Sequence, residues 1–340
     1  MDSWSAIWER WLRGLATNII CSFGGGQREL LVVVIGSMSV AAGHAHYVQG
    51  SPGYGRDLEG VWDFSMLTPL QRPANYRETR DLTADEAAVF ARSLREANTE
   101  RQQQATRAGV IAVGVDEEIW FERGSLASIN GRFPTSLIVE PPDGQMPALT
   151  AQAAARIAER RRLSARLDSA QDRALNERCL RAVSGPPYLP SSDANTLRIV
   201  QSPDNVALTV EKFDETRIVS LRRQRHVSSA IRTWVGNAIG HWDGNTLVVD
   251  TVNFTPEIAL TGNYDDDLHL SERFTRIDRD TLLYEATIED ATAFVRPWAV
   301  SLPMKKLAAP LYEFACHESN YSMRNMLSGA RAEEGVRRGP

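Results

Sequence analysis

Residues 58–330 read as one mainly β domain, an antiparallel up-and-down barrel carrying two helical insertions. Three observations point there. From Ile239 to Tyr321 apolar and polar residues alternate through successive short runs, the period of a strand with one buried face. Short turn signals separate the runs, and Asp243-Gly244 between two strand-like stretches is the strongest short-range hairpin signal of them. A meander of this length protects its edges most simply by closing on itself, and a barrel of about eight to ten strands can hold a ligand.

The elements follow in order. Leu58 to Met66 is strand-like and opens the domain. Thr83 and Glu86 fit a capping box, in which each side chain bonds the other's backbone, and they introduce a helix over 84–104. Ile119 to Phe121 and Thr135 to Glu140 read as strands; Pro141-Pro142-Asp143-Gly144 stops the second, because proline fixes φ and glycine admits positive φ. Thr150 caps a second helical segment over 150–180, which ends near Gly185-Pro186-Pro187. From Thr196 the chain turns β-rich, with runs at 197–201, 206–213 and 216–221, a basic loop, and then the meander, whose later turns fall at Asp278-Arg279-Asp280 and Asp290-Ala291-Thr292. Neither helix carries enough apolar surface to fold alone, so both read as covers on one sheet. Residues 331–340 read as a disordered tail.

Leu30 to Ala42 is a short apolar run, preceded by Arg28 and followed by Gly43-His44-Ala45, which is the grammar of a signal peptide over 30–45. It is shorter than the roughly 18 to 20 apolar residues that cross a bilayer as a helix, leaving an uncleaved anchor or a buried helix as alternatives. Residues 1–29 form an extension longer than an ordinary signal requires, which a downstream start codon would explain, and 46–57 form a flexible leader. The mature protein is expected to be periplasmic or secreted, with no membrane contact after cleavage. Its cysteines agree with an oxidising compartment. Cys21 would leave with the signal, and Cys179 and Cys316 would remain as a candidate disulfide, the alternative being two separate buried thiols.

The formal net charge of -5 argues against a nucleic-acid partner. No C-x-x-C and no helical pair of histidines suggests a metal, no phosphate loop or nucleophile elbow is present, and no cofactor is called for. Oligomeric state is not encoded in any pattern found.

Gly60-Val61-Trp62 on the first strand, followed by a late run of up-and-down strands, resembles the G-x-W opening of the lipocalin and calycin superfamily. The phrases SERFTRIDRDTLLYEATIED (271–290), RPW (296–298) and YEFACHESNY (312–321) resemble a large group of uncharacterised, secreted bacterial proteins. These resemblances imply export and a calycin-like barrel; they bring no established activity and no assigned catalytic residues.

The period of two also yields site candidates. Glu272 shares a face with Leu268, Leu270 and Phe274, and a carboxylate on an apolar face needs a partner. Arg296 shares a face with Phe294, Trp298 and Val300. If the turns centre near Arg279 and Ala291, Ala286 lies between Glu272 and Arg296, and its small side chain lets the two meet across about 9.5 Å. The pair is either a polar anchor at a cavity floor or an internal ion pair that fixes register. Cys316-His317-Glu318 is the second candidate, a His-Glu pair pinned by the disulfide, of which one member can face a cavity. Asp250, sharing a face with Val248 and Val252, is a third possible buried carboxylate, whereas His269 reads as solvent-facing. Trp62, Phe274, Tyr284 and Trp298 are expected to line a ligand cavity or to form plain core. The function expected from these residues is binding of a small, largely apolar molecule. The alternatives are a cofactor-independent lyase, isomerase or hydrolase using a carboxylate and histidine, and a structural envelope protein.

Overall fold

The computed structural model describes residues 55–108, 122–164, 166–181, 185–255, 259–260, 263–264, 267–318 and 320–337. The signal-like segment, the first part of the leader and the expected strand at 119–121 lie outside the described residues. In chain order the elements are β1 (Gly60–Asp63), β2 (Asp81–Leu82), α1 (Ala84–Arg107), β3 (Phe133–Pro134), β4 (Ile138–Glu140), α2 (Ala151–Ser164), β5 (Thr196–Gln201), β6 (Asn205–Val210), β7 (Thr216–Ser220), β8 (Asn237–Asp243), β9 (Thr246–Val252), β10 (Ala259–Leu260), β11 (Asn263–Tyr264), β12 (His269–Arg276), β13 (Thr281–Glu289), β14 (Trp298–Leu307) and α3 (Ser322–Arg337).

Nine strands close into a barrel in the ring order β1-β5-β6-β7-β8-β9-β12-β13-β14, with β14 returning to β1 through Trp62 opposite Lys306. Neighbours run antiparallel except β7 and β8, which are parallel through Val219 opposite Ala238. The expectation of a purely antiparallel barrel is corrected here, and parity gives the reason. An odd number of strands cannot alternate direction all the way round a closed ring. A parallel pair cannot be joined by a tight turn, and residues 221–236, the basic loop of the sequence, form the crossover that joins this one. Gly240 permits the close approach at that seam, since a Cβ there would lie 2.7 Å from Val219 Cγ1.

Two of the hairpins lie where the turn signals put them. Gly244, with φ +59°, follows β8 as the first central residue of a two-residue loop, a position where a primed hairpin turn needs positive φ. The Asp278–Asp280 turn sets Glu272 opposite Ala286. The third hairpin differs. Asp290 accepts from the backbone N–H groups of Thr292 and Ala293, and Val295 N–H bonds Ala148, so residues 290–297 form a wide loop tied to the start of α2. Ala286 therefore faces Val300 rather than Arg296. One edge of β14 belongs to β13; the other is shared between β4 at its start and β1 at its end.

The capping box forms as the spacing predicts: Glu86 N–H bonds Thr83 Oγ1 at 3.4 Å, and Thr83 N–H bonds Glu86 Oε2 at 2.8 Å. The helix buries Ala87 and Phe90 against Leu82 and Tyr76. Thr150 Oγ1 accepts from Ala153 N–H at the start of α2. That helix stops at Ser164 instead of reaching 180, and further on a short 3₁₀ turn forms at Ala170–Asp172, where Asp172 Oδ2 accepts from Ser169 N–H at 2.8 Å. Cys179 and Cys316 are joined as a disulfide. Beyond it the chain folds as α3, where a disordered tail was expected from residue 331. Among the described residues no helix is long and apolar enough to cross a membrane.

Candidate functional site

The inward side chains follow from register. Leu247 and Val249 on β9, Leu270, Glu272 and Phe274 on β12, Tyr284, Ala286 and Ile288 on β13, and Val300 and Leu302 on β14 occupy matching positions round the ring, and all are buried. On β7 the hairpin from β6 sets Arg217 opposite Leu208, so Arg217 also points inward, and it is 2% exposed. Its guanidinium donates twice to Glu272, from Nη1 to Oε2 at 2.5 Å and from Nη2 to Oε1 at 2.9 Å. Tyr284 Oη donates to Glu272 Oε1 at 2.9 Å, and Arg217 also reaches Thr251 Oγ1 and Tyr188 Oη.

Tyr188 is the unexpected member. The segment around it dips into the barrel, where its ring meets those of Phe274, Tyr284 and Phe64, and its backbone N–H bonds Tyr284 Oη at 3.1 Å. Burial pushes both tyrosines above the usual phenol range, so both stay neutral. Burial alone would depress the guanidinium, but the adjacent Glu272 carboxylate outweighs it and holds Arg217 charged. A side chain beside an empty chamber would keep accessible surface toward it. Trp62, Phe274, Tyr284 and Glu272 are 0% exposed and Trp298 is 1% exposed, so around these residues the lumen is packed solid. The four aromatic candidates are thus close-packed core, and the Glu272 carboxylate is fully engaged by protein donors.

The expected Glu272–Arg296 pair does not form. Arg296 lies in the wide loop before β14, with its side chain 55% exposed and 3.8 Å from Asp143. The turn lies later in the chain than its sequence signal, because the Asp290 carboxylate folds the loop back on itself and adds residues before pairing resumes. The sequence offered a route to Arg217: alternation of Val206, Leu208 and Val210 fixes the inner face of β6, and the turn at 211–215 carries that face to Arg217. Ile218 and Val219, apolar on both faces of β7, concealed it.

Asp250 shares its face with Val248 and Val252, but that face is outward and the side chain is 41% exposed, so it is not a buried carboxylate. Instead it bridges two histidines. His226, from the crossover, meets Asp250 Oδ1 at 2.6 Å through Nε2 and Asn237 Oδ1 at 3.1 Å through Nδ1; His269 meets Asp250 Oδ2 at 2.9 Å and Glu289 Oε2 at 2.7 Å. A neutral imidazole has one N–H, whereas His269 faces carboxylates with both nitrogens, so the contacts require the doubly protonated ring. The bond to Asp250, opposed by desolvation and reinforced by Glu289, raises His269 to about 9. Burial raises Asp250, but the bonds from His269 and His226 prevail and lower it. The contacts hold protons, and among the described residues no cluster of His, Cys, Asp and Glu is arranged around a metal ion.

His317 and Glu318 are exposed in a turn after the disulfide, and Leu311–Ala315 is not a strand, so the pair is displayed to solvent instead of being set on a barrel strand. A more enclosed space lies between α1 and the segment leaving β1. Its volume is about 250 Å³, and its apolar walls include Met66, Leu70, Leu94, Leu137 and Leu189, the last adjacent to Tyr188. Its polar side chains are Thr68, Asn98 and Arg101. No composition or period signalled this groove, because its walls come from segments far apart in the chain. No protein-family model matches the chain, and no curated protein is significantly similar to it.

Proposed function

We propose that the protein is an exported β-barrel that binds a small, largely apolar molecule in the groove beneath α1 rather than in the barrel lumen. The groove carries this reading: side chains from α1, from the segments after β1 and before β4, and from the segment at Leu189 converge there, apolar ones among them, while polar atoms make up the larger share of the surface they leave open. Its volume is slightly below the roughly 300–1,000 Å³ typical of such sites, which favours a compact ligand. The filled lumen makes the barrel a rigid support. Export is supported by the Cys179–Cys316 disulfide, which is at home in an oxidising compartment. Kinship with the calycins is supported by Gly60-Val61-Trp62, with Trp62 buried at the seam where β1 closes on β14.

Native mass spectrometry of protein purified gently from its host tests the reading. A small-molecule adduct is expected on the wild type and not on Leu94→Trp, which fills the groove, with unfolding temperatures matched. An adduct retained by Leu94→Trp, or none on the wild type, contradicts it.

A second reading, acid–base chemistry without a cofactor, is favoured by the proton-sharing chain of His226, Asp250, His269 and Glu289. Loss of a measured turnover in His226→Asn, with stability retained, would support it over binding alone.

A further inference from the structure

We infer that the ligand of the α1 groove is an apolar carboxylate, held by its hydrocarbon body along the leucines and by its anionic end at Arg101. This rests on the groove being the binding site. The argument is one of chemical complementarity. Among the described residues, the side chains lining the groove include one cation and no carboxylate. Arg101 lies on α1 with its Nε on Ala97 O at 3.2 Å and its Nη2 on Asn98 Oδ1 at 2.6 Å. Those two contacts fix the plane of the guanidinium against the helix. Nη1 has no partner among the described residues, and neither does any carboxylate pair with this arginine.

Asn98 extends the same bias. Its carbonyl oxygen is taken by Arg101, so what remains to a ligand is the amide N–H₂, a donor. Thr68 is buried, and its Oγ1 accepts from Ala127 N–H at 2.8 Å with the hydroxyl hydrogen still able to donate. Each of the three polar side chains of the groove can therefore donate, and Arg101 can only donate and is charged, beside Leu70, Leu94 and Leu189. A ligand that satisfies them brings an acceptor end carrying negative charge. A cationic or donor-only head would leave the groove's donors unpaired and set like charges together. A planar guanidinium matches a carboxylate geometrically as well as electrically.

The test compares three probes of equal chain length by calorimetric titration of the full chain: octanoate, octan-1-ol and octylammonium. Octanoate is expected to bind about tenfold more tightly than octan-1-ol, the scale of one charge-assisted bond, with octylammonium weakest. In Arg101→Gln the ratio of the octanoate and octan-1-ol Kd values is expected to collapse toward one. Leu94→Trp is expected to abolish binding of all three. Equal Kd values for octanoate and octan-1-ol in the wild type, or a ratio unmoved by Arg101→Gln, overturn the carboxylate assignment while the groove stands. Binding of none of the three probes, or octanoate binding untouched by Leu94→Trp, overturns the groove itself. Arg101 is exposed at the groove and bonds only Ala97 and Asn98 of its own helix, so its replacement leaves the fold in place, and matched unfolding temperatures verify that.

Discussion

Arg217 on β7 and Glu272 on β12, strands three apart in the ring, meet inside the barrel through two hydrogen bonds while both are essentially inaccessible to water. Bringing two ions out of water is costly, and here Tyr284, Thr251 and Tyr188 complete the hydrogen bonding that makes it tolerable. Removing one partner leaves a buried unpaired charge. Glu272→Gln or Arg217→Met is expected to cost about 3–5 kcal/mol in urea unfolding, whereas the Arg217→Met/Glu272→Leu double mutant recovers most of that loss. Additive losses would contradict the coupling.

The outer chain makes stability depend on pH through a different residue. His269 is raised from 6.5 to about 9 in the folded protein, chiefly by its bond to Asp250. Its contribution is therefore fully present below about 6.5 and is lost as pH rises through about 9. Asp250, lowered from 3.8, has the opposite sense: its contribution is present above that value and fades as the solution turns more acid. The stability gap between wild type and His269→Asn should be wide near about pH 6 and narrow near about pH 10. An imidazole titration midpoint near 6.5 by NMR would contradict this.

How much of this was legible in the chain divides along locality. The capping box at Thr83 and Glu86, the turn at Gly244 and the pairing of Glu272 with Ala286 are set by residues a few positions apart, and each is where local chemistry places it. The parallel seam between β7 and β8 is a consequence of ring closure, which no local pattern encodes. Arg296 falls outside β14 because Asp290 lengthens the loop before it, and the resulting shift of register alters every pairing on that strand. Tyr188 and the α1 groove depend on segments separated by most of the domain, and the Glu272 carboxylate pointed to a partner without naming it.

The disulfide joins residues separated by 137 positions. In the chain-entropy account, closing a loop of that length stabilises the fold by about 4–5 kcal/mol before any native strain is subtracted. Cys179→Ser/Cys316→Ser should therefore unfold at markedly lower urea, with reductant producing the same shift in the wild type and none in the mutant. Identical midpoints for wild type and mutant would contradict a stabilising bridge.

The helix that roofs the groove depends on its first turn. Thr83→Ala removes the acceptor for Glu86 N–H and is expected to cost about 1 kcal/mol, with Thr83→Ser recovering most of it. Equal stabilities of wild type and Thr83→Ala would show that the cap contributes nothing.

The most direct test of a groove ligand over a packed lumen is a crystal structure of the protein purified from its host without added ligand. Density for a small molecule is expected against Leu94 and Leu189, with Tyr188 still bonded to Tyr284 and Arg217. Density inside the barrel beside Glu272, with Tyr188 displaced, would contradict the account.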